Sequence, residues 1–241
     1  MLFEKFADDY ARFRPDYPAN LIESIVNRFQ LSSNSRILDL ACGTGNLTRQ
    51  LREITHSPVF GIDLSMIMLK HNRESRIACA KAEALPVKAS MFDTVLVGQA
   101  FHWFDRDAAR AEFARILNAG GWVALVWNER TVASHFGHAY ETMLGEHCRR
   151  SRRVDHREID GAAMDAFFGA GRWEVHVTPN RQSFDFDGLR GRLLSSSYTP
   201  EPGTPGHEPL MAALRAVFDA HAEHGKVTCH YATKAYVGQL T

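Results

Sequence analysis

Ile37-Leu-Asp-Leu-Ala-Cys-Gly-Thr-Gly45 is the stretch on which the fold turns. Its first four residues form a short, mostly apolar run, which predicts a strand, and the helical spacing of Leu47, Leu51 and Ile54 predicts a helix just beyond. Between them, small residues at Ala41, Gly43 and Gly45 let a ligand approach the backbone, while the start of the helix offers unpaired N–H groups. The next apolar run, Val59-Phe-Gly-Ile-Asp63, ends in an acid 20 positions after Gly43. A carboxylate there is placed to accept hydrogen bonds from two ribose hydroxyls. The expected ligand is therefore a nucleoside.

Working outward, Pro18 to Gln30 carries Leu21, Ile22, Ile25, Val26 and Phe29 at helical spacing. Ser65 is a candidate N-cap for a helix through His71, Arg76 to Ala80 reads as a third strand, and Phe92 to Gly98 as a fourth. Asp105 can cap a helix bearing Ala108, Ala111, Phe113 and Leu117, which is expected to end near Asn118-Ala-Gly-Gly121. Trp122 to Trp127 is nearly all apolar and predicts a fifth strand covered on both faces. This alternation of strands and helices predicts an α/β, Rossmann-like, doubly wound and mainly parallel sheet. Residues 130–171 break the rhythm and read as an insertion on the ligand side of the sheet. They include Arg149, Arg150, Arg152, Arg153 and Arg157, diluted by Asp155 and Glu158. Beyond them come a strand at Trp173 to Val177, a short helix at Gly188 to Ser197, a loop at 199–209, a helix bearing Leu210, Leu214, Val217, Phe218 and His221, and a β-like stretch at Val227 to Val237.

With 241 residues the chain is expected to form a single domain over 1–241. Its 28 Lys+Arg balance 28 Asp+Glu, so a chain-wide polyanion binder is excluded and no nucleic acid is expected. Cys42, Cys79, Cys148 and Cys229 form no CxxC pair, which argues against a disulfide framework and a zinc knuckle and for a cytoplasmic location. The histidine pairs 135/138 and 221/224 lack evident co-ligands, so no metal is expected. The charged, aromatic N-terminus lacks an apolar signal region, and no run approaches the roughly 18 apolar residues of a membrane span. The expected partner is a small-molecule acceptor, bound by a monomer or homodimer.

A dinucleotide fits this loop poorly. Thr48 stands where GxGxxG needs its third glycine, and Asp39 would face a pyrophosphate, whereas a carboxylate suits an ammonium group. Asp39-Leu-Ala41-Cys-Gly43-Thr-Gly45 instead resembles motif I, D-x-[G/A]-x-G-x-G, of class I S-adenosylmethionine-dependent methyltransferases. The resemblance continues through Gly61-Ile-Asp63-Leu-Ser65, Ala82-Glu83-Ala84-Leu85-Pro86, Phe92-Asp93, Gln99-Ala-Phe-His102-Trp103-Phe and Ala119-Gly-Gly-Trp122. The leader pattern of Phe3, Ala7, Tyr10, Arg14, Pro15, Tyr17 and Pro18 is similar to that of the type 11 small-molecule branch, which includes trans-aconitate-like and natural-product tailoring enzymes. Glu4 stands where that branch often has Asp.

The resemblance implies a seven-stranded sheet whose last strand is antiparallel, with S-adenosyl-L-methionine as cofactor and S-adenosyl-L-homocysteine as product. It implies that within the single domain 1–30 form an N-terminal lid segment, 36–128 the cofactor-binding core, 130–205 a substrate-side insertion and 206–241 a closing helix and strand. It implies that Ala41, Cys42, Gly43, Thr44 and Gly45 line the methionine part together with Asp39, that Tyr10 and Arg14 lie near it, and that Asp63 holds the ribose. It further implies that Leu64 and Met66 flank the adenine, that Ala82 and Glu83 sit at its edge, and that Gln99 closes the floor. Tyr17, His102, Trp103, Trp127 and Tyr198 are the candidate acceptor contacts. His102 is the candidate general base, because an unperturbed imidazole titrates near neutrality. The predicted reaction is methyl transfer to an oxygen or nitrogen of a small organic molecule. The rivals are an RNA methyltransferase using the arginine cluster, a non-catalytic S-adenosylmethionine-binding regulatory protein and a nicotinamide dehydrogenase.

Overall fold

Parallel strands covered on both faces need apolar side chains in both directions, and the central strands of this chain supply them. In β1 (Ile37–Leu40), Ile37 faces one core while Leu38 and Leu40 face another. In β4 (Phe92–Gly98), Val95 and Val97 join the second of these cores and Leu96 the first. The computed structural model describes residues 7–74, 76–148 and 160–240. The arginines at 149, 150, 152, 153 and 157 lie outside the described residues.

In chain order the described elements begin with α1 (Ala7–Phe13), α2 (Ala19–Arg28) and β1, followed by α3 (Asn46–Thr55), β2 (Val59–Asp63), α4 (Met66–His71) and β3 (Ile77–Cys79). After β4 and a 3-10 turn at Phe101–Trp103 come α5 (Arg106–Ile116), β5 (Leu117–Arg130), α6 (His135–His147) and α7 (Gly161–Phe168). The remainder is β6 (Trp173–Phe184), α8 (Phe186–Leu194), α9 (His207–His221) and β7 (Val227–Gln239). The sheet runs β3-β2-β1-β4-β5-β7-β6, mostly parallel with the last strand antiparallel. β1 pairs in parallel with β2 and β4, which sets Asp39 beside Gly61 and Leu96.

The described residues divide into two compact units. Of the described residues, one unit draws on 7–15, 128–148 and 179–232, the other on 16–74, 76–127, 160–178 and 233–240. The second unit has two cores. α5 and α7 close one with Phe113, Met164, Phe167 and Phe168, and α2 and α3 close the other with Leu21, Ile25, Leu47 and Leu51. The first unit has a core of its own, formed by Phe136, Tyr140, Leu189, Leu193, Leu210, Leu214 and Tyr231.

Two elements differ from the sequence expectation. The sequence reads Gly120 as part of a helix end, yet α5 stops at Ile116 and Leu117 already pairs with Phe92. A register shift before Trp122 pairs with Thr94 absorbs Gly120, whose φ is 75°. The glycines therefore mark a bulge. Residues 161–168 fall in the stretch read as a ligand-side insertion, but α7 buries Met164, Phe167 and Phe168 against α5, and Arg110 Nε donates to the Phe167 carbonyl at 2.7 Å.

Candidate cofactor site

The period of a strand decides where Asp39 points. It shares the face of Ile37, under α3, where Thr48 Oγ1 donates to its carboxylate at 2.5 Å. Asp39 is 1% exposed, and burial raises its pKa to about 7, with the charge of Asp63 adding to the rise and the Thr48 bonds opposing it. Thr48, which breaks the dinucleotide pattern, is thus the residue that holds the acid.

Beyond β1 the chain makes a tight loop with left-handed backbone at Ala41 (φ 58°), Gly43 (φ 53°) and Gly45 (φ 89°). Ala41 holds this conformation despite its Cβ, at a cost of about 1–2 kcal/mol. Gly45 has no freedom to carry a side chain, because a Cβ there would lie 2.6 Å from Asn72 Oδ1. Asn72 Nδ2 lies 3.4 Å from the Gly43 carbonyl oxygen, to which it donates, and 3.5 Å from Cys42 Sγ. This buried amide pins the loop from beneath, and sequence reasoning missed it. Gly61 is required for a related reason: a Cβ on it would meet Cys42 Sγ at 2.8 Å. Burial, reinforced by Asp39 and Asp63, raises the Cys42 thiol far above its ordinary value, so it packs rather than reacts.

Asp63, at the end of β2, accepts from the Gly43 N–H at 2.8 Å and from the Ser65 N–H at 2.7 Å. Burial raises its pKa, and the backbone N–H bonds of Ser65, Gly43 and Leu64 oppose that rise. Each carboxylate oxygen has further lone pairs, so the same group can accept from a diol. Next to it, Leu64 and Met66 are 46% and 55% exposed, while Ser65 caps α4 by accepting from the Met68 N–H. Large apolar side chains left exposed beside a carboxylate suit a flat ring stacked above a ribose.

Gln99 follows β4 with a φ of 60°, and its N–H donates to the Val126 carbonyl at 2.8 Å. Ala82 is buried, and Glu83 accepts from the Asp105 N–H at 3.0 Å. Trp127 is 1% exposed and belongs to the core, with its Nε1 donating to His102 Nδ1 over a long 3.4 Å. Trp127 thus meets the His102 ring on its Nδ1 side. Trp103 is exposed.

Residues 38–125 match the model of the methyltransferase domain family. An uncharacterized methyltransferase of Schizosaccharomyces pombe is 32% identical over 126 residues, covering 51% of this chain and 50% of the relative. A malonyl-[acyl-carrier protein] O-methyltransferase of Herminiimonas arsenicoxydans is 30% identical over 162 residues, covering 66% and 60%. A solved structure described as a candidate type II methyltransferase from Anaeromyxobacter dehalogenans superimposes with a TM-score of 0.71 at 21% identity, covering 94% of this chain and 98% of that one. Residues 38–125 are a methyltransferase domain. The chain spans about half the length of the first curated relatives it matches.

The methyltransferase domain contains Asp39, Ala41 to Gly45, Asp63, Leu64, Met66, Ala82, Glu83, Gln99, His102 and Trp103. Trp127 lies two residues beyond it. Tyr17 lies in the same compact unit, where its ring closes on Gly98 and its backbone exchanges hydrogen bonds with Gln50 at 3.0 and 2.7 Å. That makes Tyr17 an anchor of the leader. Tyr10, Arg14 and Tyr198 belong to the other unit, where the Arg14 guanidinium lies 4.8 Å from the centre of the Tyr10 ring.

The donor set of the methyltransferase domain fits S-adenosylmethionine: a diol acceptor at Asp63, a buried carboxylate at Asp39 for an ammonium, and a loop whose glycines leave the backbone bare. Among the described residues no group of three or more His, Cys, Asp or Glu is placed to hold a metal ion. No described helix is long and apolar enough to cross a membrane.

Proposed function

We propose that the chain transfers a methyl group from S-adenosylmethionine to an oxygen or nitrogen of a small organic acceptor. The observation that carries this reading is the pairing of Asp63, bonded to the Gly43 and Ser65 N–H groups, with the buried Asp39 on the far side of the same loop. In this reading residues 36–128 bind the cofactor, and residues 1–30 and 130–205, apart from the core helix α7, serve the acceptor.

When bound, the sulfonium supplies an electrophilic methyl group whose positive charge disperses during in-line transfer. Asp63 accepts the ribose hydroxyls, its own orientation fixed by two backbone donors before any ligand arrives. Asp39 binds the ammonium, and Thr48 holds its carboxylate in place. Leu64 and Met66 exclude water from the adenine, and Trp103 does the same beside the acceptor. His102 orients the acceptor, and an acidic acceptor that arrives already deprotonated needs no base from the protein. An oxygen acceptor is also supported by the Herminiimonas relative, which is named as an O-methyltransferase.

Release of S-adenosylhomocysteine from S-adenosylmethionine, measured with panels of small carboxylic acids, phenols and amines, tests the reading. We expect turnover with members of one class, and His102→Ala to lower kcat about tenfold or more with the cofactor KM little changed. Binding of the cofactor without turnover on any class would favour the regulatory reading instead.

A further inference from the structure

The first unit gathers three arginines from distant parts of the chain. Arg14 Nη2 donates to the Ser195 carbonyl at 2.7 Å, and Arg192 Nη1 to Ser196 Oγ at 3.1 Å. Arg130 donates from Nε to Glu141 at 2.7 Å and from Nη1 to the Tyr198 hydroxyl at 3.0 Å. Among the described residues, Glu141 is the only carboxylate bonded to any of them, so three guanidiniums face a single negative charge. Arg192 is 5% exposed, yet its Nε has no hydrogen-bond partner among the described residues. The same holds for the buried Nε of Arg14 and for the hydroxyl of Tyr140, which is 2% exposed.

The electrostatics agree with the geometry. Burial, followed by repulsion from Arg192, lowers Arg14 to about 10. Burial pushes the Tyr198 phenol up, but Arg130, Arg192 and Arg14 together bring it below its usual value. Each unmet buried donor costs about 1–3 kcal/mol, more where charged, and an excess of buried positive charge adds to that. A cluster that served only to hold the unit together would be stabler with carboxylates in these places. The unmet donors are two guanidinium Nε–H groups and a phenol, and guanidinium and phenol donors are well matched to a carboxylate.

We propose that Arg14, Arg130 and Arg192, with Tyr140 and Tyr198, form a binding site for the carboxylates of a small dicarboxylic acid, which is the acceptor of the methyl group. Only the word acceptor rests on the methyltransferase reading. The anion site stands on the arginines alone. Two carboxylates would match the two uncompensated positive charges and take up the donors now without partners.

Calorimetry on the full chain, with succinate, inorganic phosphate and ethylamine as probes and with or without S-adenosylhomocysteine, tests the proposal. Succinate should bind more tightly than phosphate, and ethylamine should not bind. Tyr140→Phe should weaken succinate about tenfold and Arg192→Met about a hundredfold, as expected for losing one neutral or one charged hydrogen bond. Because Tyr140→Phe deletes a hydroxyl that has no partner, its Tm without ligand should equal or exceed that of the parent, whereas a structural role for the hydroxyl would lower it. Absence of succinate binding, equal binding by both variants, or tighter binding of phosphate would overturn the site as proposed. Competition between succinate and S-adenosylhomocysteine would assign the arginines to the cofactor's own carboxylate and overturn the acceptor assignment. Succinate binding in a chain that fails to bind S-adenosylhomocysteine would uphold the anion site while removing the methyltransferase reading.

Discussion

Asp39 keeps its proton at pH values where an ordinary carboxylate has lost it. Its pKa moves from 3.8 to about 7 because burial disfavours the charge. Between those values the folded state binds the proton and the unfolded state does not. Asp39 therefore makes stability fall as pH rises through that window, by on the order of a few kcal/mol. Asp39→Asn should remove this contribution: the difference in Tm between variant and parent should grow in the variant's favour from pH 4 to pH 7 and then level off. A pH-independent difference would show that the carboxylate is not buried as described. The sequence makes Asp39 and Asp63 legible, because motif spacing alone sets an acid before the loop and another at the end of β2. It leaves Thr48 visible only as a missing glycine, since its bond to Asp39 exists only once α3 lies over β1. Asn72 carries no signal at all, because its amide reaches the loop through the fold, 29 and 30 residues back in the chain.

At the scale of elements, the start of α3 depends on Gly45, which is its N-cap. The position combines a φ of 89° with a Cβ direction blocked by Asn72 Oδ1 at 2.6 Å. Gly45→Ala should cost about 2–5 kcal/mol in urea unfolding, from left-handed strain of about 1–2 kcal/mol and a clash of about 1–3 kcal/mol. In an Asn72→Ala background the clash disappears and only the strain should remain. Equal costs in the two backgrounds would mean that Asn72 does not press on the loop. Helix starts were readable here, since Ser65 and Asp105 cap α4 and α5 through short-range bonds that sequence spacing predicts. The junction of α5 and β5 was not. Its bulge depends on which residue of β4 Leu117 pairs with, a choice made between strands.

For the molecule as a whole, the balanced charge conceals opposite local arrangements. The methyltransferase domain buries Asp39 and shelters Asp63 around one loop, while the other unit collects Arg14, Arg130 and Arg192, with Glu141 the one carboxylate bonded to them among the described residues. Composition showed only their sum. The doubly wound, mainly parallel sheet was legible from the alternation of strands and helices, but the separate core of the first unit was not, because its residues come from three stretches of chain. The central claim is that the loop between β1 and α3 binds an S-adenosyl nucleoside through Asp63. Isothermal titration of the parent chain and of Asp63→Ala with S-adenosylhomocysteine, and with NAD as the competing nucleoside, tests it most directly. The expected result is one-site binding of S-adenosylhomocysteine, at least about tenfold weaker in Asp63→Ala, as befits loss of charged hydrogen bonds to the ribose, and no binding of NAD. Binding of NAD alone, or an S-adenosylhomocysteine affinity unchanged by Asp63→Ala, would contradict it.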